Sequence, residues 1–81
     1  MNRHMVRLFA RYAELFGSEQ VELMLPPMAT VADLVGALRI LPGGASLPER
    51  PFIAVNMAQA ASDDVVQPND EVALLPPLAG G

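Results

Sequence analysis

The sequence has no cysteine and no lysine, and its single histidine is His4. Without cysteine there are no disulfides, no thiolate metal sites and no thiol nucleophile. One histidine near an N-terminus expected to fray, with no cysteine to join it, does not make a transition-metal site. Positive charge is confined to Arg3, Arg7, Arg11, Arg39 and Arg50, which are scattered along the chain. Nucleic acid needs a clustered basic face to neutralise phosphates, so it is not an expected partner. No apolar run approaches the ~20 residues that span a bilayer, and no signal peptide is recognisable. The expectation is a cytoplasmic protein without a membrane partner.

Charge is also sparse. Charged residues make up 17% of the 81 residues and hydrophobic ones 52%, against a usual charged share of about 25%. A small domain exposes much of its surface, so bare apolar area is expected, and such area suits a partner interface. The abundant alanine, harmless at a surface, is the other source of that excess. The net charge of −4 would complement a basic partner and equally serves solubility. A chain of this size supports one modest core and no deep catalytic pocket. It reads as part of a larger machine.

Hydrophobic periodicity places the elements. Met5–Ala10 alternates as a strand, with Val6 and Leu8 inward and Arg7 and Phe9 outward. Arg11–Phe16 lacks that alternation and reads as one or two helical turns capped by Gly17. Gln20–Leu25 alternates again, with Val21, Leu23 and Leu25 on one side, and Pro26-Pro27 ends it. Thr30 opens the main helix through a capping box with Asp33. Val31, Leu34, Val35, Leu38 and Leu41 share one helical face, and Pro42 stops the helix at Leu41. Gly43–Pro51 is a linking turn; its glycine pair lacks the lysine and the flanking elements of a phosphate loop. Phe52–Val55 is a short strand, Met57–Val66 holds a short strand and a turn, and Pro68-Asn69-Asp70 turns into a last strand, Glu71–Leu75. Two strands, a helix and further strands imply an α+β fold, a mixed sheet of four to five strands with one main helix on one face.

Residues 1–75 then form the domain and residues 76–81 an extended tail. Pro76-Pro77 stiffen that tail without internal hydrogen bonds, and Pro76 to Gly81 can reach about 20 Å at ~3.3 Å per residue. Gly80 and Gly81 have no side chains, so the end fits a channel too narrow for other residues. The terminal carboxylate would sit deep inside a partner, and a stiff stem loses little entropy on docking. With glycine at about 7% of residues, a terminal Gly-Gly arises by chance in roughly half a percent of chains. An accidental ending is therefore the weaker explanation.

Two stretches resemble the MoaD/ThiS family of ubiquitin-like sulfur carriers, and its MoaD branch in particular. One is Leu8-Phe9-Ala10-Arg11-Tyr12-Ala13-Glu14-Leu15-Phe16-Gly17. The other is Asn69-Asp70-Glu71-Val72-Ala73-Leu74-Leu75-Pro76-Pro77-Leu78-Ala79-Gly80-Gly81. Val55-Asn56 and Thr30-Val31-Ala32-Asp33-Leu34 also fit. The resemblance implies a β-grasp fold and the role of the small subunit of molybdopterin synthase. It implies that an activating enzyme uses ATP to adenylate Gly81, with Gly80 beside it. A sulfur donor then converts the adenylate to a thiocarboxylate, which enters a large synthase subunit and passes sulfur to a pyranopterin precursor. The implied assembly is two small subunits on two large ones. On this reading the chain is no enzyme alone, binds no cofactor or metal, and leaves acid–base work to its partners. The lack of thiols accords with a backbone thiocarboxylate rather than a persulfide.

Sheet parity adds a docking surface. If Val72 and Leu74 face the helix, Leu75 joins Phe9 on the open face, and Phe9, Leu75, Pro76, Pro77, Leu78 and Ala79 would meet the partner. The chain departs from the family pattern where Pro68-Asn69-Asp70 replaces the usual Asp-Gly-Asp; asparagine tolerates positive φ, so the turn is expected to survive. The alternatives are a thiazole-pathway carrier, which generally lacks the Phe9–Gly17 stretch, a ubiquitin-like modifier conjugated through Gly81, and a plain interaction domain with an incidental tail.

Overall fold

The computed structural model describes residues 1–76. Alternating side chains build β1 (Asn2–Leu8) and β2 (Gln20–Leu25) into an antiparallel pair. Between them α1 (Arg11–Phe16) ends at Gly17, whose φ of 74° is the left-handed cap that glycine adopts at least cost. The main helix, α2 (Val31–Arg39), opens with both arms of the capping box: Asp33 N–H donates to Thr30 Oγ1 and Thr30 N–H to Asp33 Oδ2. It ends two residues short of the expected Leu41, because the chain already bends at Ile40 ahead of Pro42. The linking segment is not bare loop, since Gly44–Ser46 forms a 3₁₀ turn. It leads to β3 (Phe52–Val55), the two-residue β4 (Ala58–Gln59) and β5 (Val72–Leu75).

The described strands form one mixed five-stranded sheet in the order β2-β1-β5-β3-β4, with β1 and β5 parallel and the other pairs antiparallel. Val31, Leu34 and Leu38 of α2 pack onto Val6, Leu8, Leu23, Leu25, Ile53, Val72 and Leu74 from one sheet face. This is the α+β arrangement that the periodicity implied and the β-grasp fold that the resemblance implied. Each fully buried leucine contributes roughly 1.5–3 kcal/mol by leaving water, so this single face carries most of the fold.

The N-terminus departs from expectation. His4 is not frayed: it pairs with Leu23 inside β1 and is only 1% exposed, its Nδ1 without a hydrogen-bond partner. Its parity is that of Val6 and Leu8, so the imidazole fills a core position that an apolar residue usually takes. The turn before β5 also differs. Asn69 is not at positive φ; the asparagine in that conformation is Asn56, at φ 52°. Asn56 latches two turns together. Its Nδ2 donates to Asp70 Oδ1 (3.0 Å), while its Oδ1 accepts from Glu71 N–H (2.9 Å).

Bonds from Gln67 N–H and from the Asn56 amide hold the Asp70 carboxyl below its usual range. A depressed carboxylate pKa stabilises the fold above the unfolded-state value and loses that contribution as pH falls through the folded one. The latch therefore weakens in acid. At neutral pH, Asn56→Ala is expected to cost about 1–2 kcal/mol, from two lost bonds and a less tolerant φ. Asn56→Gly, which keeps the φ, should cost less. Thermal melts of both variants measure the two effects, and an Asn56→Ala melt matching wild type would remove the latch from the account.

Candidate functional site

The parallel register matters most for the site. Val6, Arg7 and Leu8 sit beside Val72, Ala73 and Leu74, so β1 and β5 run the same way and end together. β5 is the central strand, and the chain leaves its end at Pro76. The predicted site residues Phe9, Leu75 and Pro76 thus gather at one end of the sheet. Pro77, Leu78, Ala79, Gly80 and Gly81 lie outside the described residues.

The face away from α2 is open. Directly paired residues point to the same side, which places Arg7, Ala73 and Ala54 in one row and Leu75 beside Phe52 in the next. Phe9, one residue beyond β1, is 39% exposed, and the Arg7 guanidinium lies 5.6 Å from its ring centroid. Leu75 and Phe52 are half-buried. Apolar side chains thus surround the point where the tail begins. Parity reasoning reached Phe9 and Leu75 but missed Phe52. Phe52–Val55 is apolar throughout, so its sequence does not show which side faces out; only the pairing with Leu75 does. A groove of about 690 Å³ opens beside Phe9, between α1 and the start of β2, with Arg7, Glu14, Glu19 and Gln20 among its lining residues.

This surface mixes apolar side chains near the root of the tail with polar ones toward β2. Among the described strands its open face presents Met5, Arg7, Ala54, Phe52, Ala73 and Leu75, with Arg3, Gln20, Glu22 and Met24 toward the β2 edge and Gln59 on β4. Among the described residues no group of three His, Cys, Asp or Glu could hold a metal ion, and no helix is long and apolar enough to cross a membrane.

Residues 6–81 match the model of the ThiS family. The chain belongs to the ThiS family. It is 32% identical to a Dictyostelium discoideum protein named molybdopterin synthase sulfur carrier subunit, over 99% of this chain and 98% of that one. Two solved structures share the ThiS-family fold closely. The H. volcanii small archaeal modifier protein 1 is 28% identical with a TM-score of 0.83, covering 96% of this chain and 100% of that one. The putative molybdopterin converting factor subunit 1 from Pyrococcus furiosus is 25% identical, also with a TM-score of 0.83 and the same coverage. The family match includes Phe9, Leu75 and the whole Pro76–Gly81 ending.

Proposed function

We propose that this ThiS-family chain is the sulfur-carrying small subunit of a molybdopterin synthase, with Gly81 as the group that is loaded. One observation carries the reading: the central strand β5 launches the tail from an apolar sheet end, and the tail finishes in Gly80-Gly81. The full-length likeness to a relative named for that role supports it. A carboxylate is a poor electrophile until one oxygen becomes a good leaving group. Adenylation of Gly81 by an ATP-using partner would provide that, and a sulfur donor would displace AMP to leave a thiocarboxylate. The general acids, bases and cations would belong to the partners. A large synthase subunit would receive the tail in a channel, and two such pairs would make the assembly. Incubation of the chain with an activating enzyme, ATP and a sulfur donor should raise its intact mass by one oxygen-for-sulfur exchange. No exchange sinks the proposal.

A modifier role is the second reading, favoured by the likeness to small archaeal modifier protein 1. Amide-linked adducts on lysines of other proteins, in place of the sulfur exchange, would select it.

The docking patch has its own test. Phe9 is exposed beside the tail root, and an aspartate there places a charge in a face that must be desolvated. Phe9→Asp is expected to weaken binding to the large subunit at least ~30-fold, a loss of about 2 kcal/mol. Leu75→Asp should act in the same direction. Titration calorimetry that returns wild-type affinity for both would remove this face from the interface.

A further inference from the structure

An activated carboxyl is attacked by whichever nucleophile reaches it first, so a chain that carries one endangers itself. The strongest nucleophiles among side chains, thiols and amines, are missing here, and the imidazole and phenol are withdrawn. Thiols and lysine amines are absent from the sequence. The imidazole of His4 is 1% exposed and the phenol of Tyr12 is 2% exposed. Neither His4 Nδ1 nor the Tyr12 hydroxyl has a hydrogen-bond partner, so each is buried despite the cost of an unmade bond. Serine and threonine hydroxyls remain, and they attack slowly without an adjacent base. All five strongly basic side chains are arginines. Guanidinium keeps its proton at any ordinary pH and is not a nucleophile, whereas a lysine releases a reactive amine as pH rises.

The α-amine of Met1 is the remaining amine of these 81 residues, and the topology holds it away. Because β1 and β5 are parallel, Leu8 sits beside Leu74. Met1 lies seven residues back from Leu8 and Pro76 two residues beyond Leu74. The nine residues between these levels correspond to roughly 30 Å along the strands. The tail from Pro76 to Gly81 spans about 20 Å when fully extended, so it does not reach back to Met1.

We propose that this chain is built without any amine, thiol or exposed aromatic nucleophile within reach of its own C-terminus, so that an acyl group activated on Gly81 passes only to an external acceptor. The inference rests on the reading of Gly81 as an adenylated carboxyl. In the avoided side reaction an amine nitrogen bonds to the Gly81 carbonyl carbon and the bond to AMP breaks. AMP leaves with the electron pair, and the nitrogen releases a proton to solvent. The product is an internal amide, one water lighter than the starting chain.

Arg11 and Arg7 are exposed at the tail end of the sheet, so Arg11→Lys and Arg7→Lys each place an amine within reach while keeping the charge. The experiment incubates wild type and both variants with the activating enzyme and ATP, with no sulfur donor. Hydroxylamine traps the adenylate in one half of each sample, and intact mass is read on both halves. All three chains should give the hydroxamate. Only the variants should form the water-loss product, at about tenfold or more the wild-type level, given the advantage of an intramolecular reaction, and peptide mapping should place the amide at the new lysine. A wild-type chain that forms this product as readily, or hydroxamate-positive variants that form none, would overturn the proposal. Absence of hydroxamate from the wild type would instead overturn the Gly81 reading itself, and this inference with it.

Discussion

Removal of Gly81 is expected to leave the melting temperature unchanged and to slow sulfur loading by at least ~10²-fold. The two halves of that result come from different parts of the molecule. Among the described residues the core runs from Val6 to Leu74, and removal of Gly81 deletes no side chain. The truncated chain still ends in a glycine, Gly80, so the test isolates position and not residue type. Its carboxylate stops about 3.3 Å short. In an active site even a 1 Å misplacement of the reacting atom can cost about 10²-fold in rate. Loading, read by intact mass over a time course, should fall by at least ~10²-fold. Gly80→Ala should also impair it, because a methyl group enters a passage that a glycine pair fits. A chain lacking Gly81 that takes up sulfur at the wild-type rate would show the tail to be incidental.

The elements with a clean period were readable from the residues. In β1 and β2 polar residues alternate with apolar ones, so one face had to turn inward. Thr30 and Asp33 announced the start of α2 because only that pair satisfies two helix-end donors at once. Where the period failed, so did the reading. His4 stands at an inward position of β1, but an imidazole carries no hydrophobic signal, and its burial follows from register with Leu23. Asn56 took the positive φ expected at Asn69, since its two side-chain bonds to the next turn are tertiary and leave no local mark. Ala10, at φ 51° between β1 and α1, had no glycine to signal it. On the open face, parity placed Phe9 and Leu75, whereas Phe52 emerged only with strand pairing. The proposed chemistry rests on Gly80-Gly81, which lie outside the described residues and were read from the sequence alone.

Gly44→Ala should be strongly destabilising. The Gly43-Gly44 pair reads as a linking turn, but Gly44 is buried and its role is proximity. A Cβ at that position would lie 1.9 Å from the Leu38 carbonyl oxygen and 2.8 Å from the Arg39 backbone. Both neighbours belong to the last turn of α2, so neither can swing aside as a side chain would. The clash must be relieved by moving the helix end or the 3₁₀ turn. Either movement disturbs Arg39, whose guanidinium donates to the carbonyls of Leu47, Pro48 and Glu49 and ties down the approach to β3. Overpacking usually costs 1–3 kcal/mol, and a backbone clash belongs at or above the upper end, about 3 kcal/mol. In a domain of this size that lowers the melting temperature by more than ~10 °C. Gly36→Ala is the matched control. Gly36 is exposed within α2, and a Cβ there meets nothing within 4 Å. The same added methyl should stabilise the helix by about 0.5–1 kcal/mol, because alanine loses less conformational entropy than glycine. Opposite shifts in paired melts would establish that Gly44 is required by the approach of the turn to α2. Equal shifts would show that both positions respond to helix or turn propensity alone.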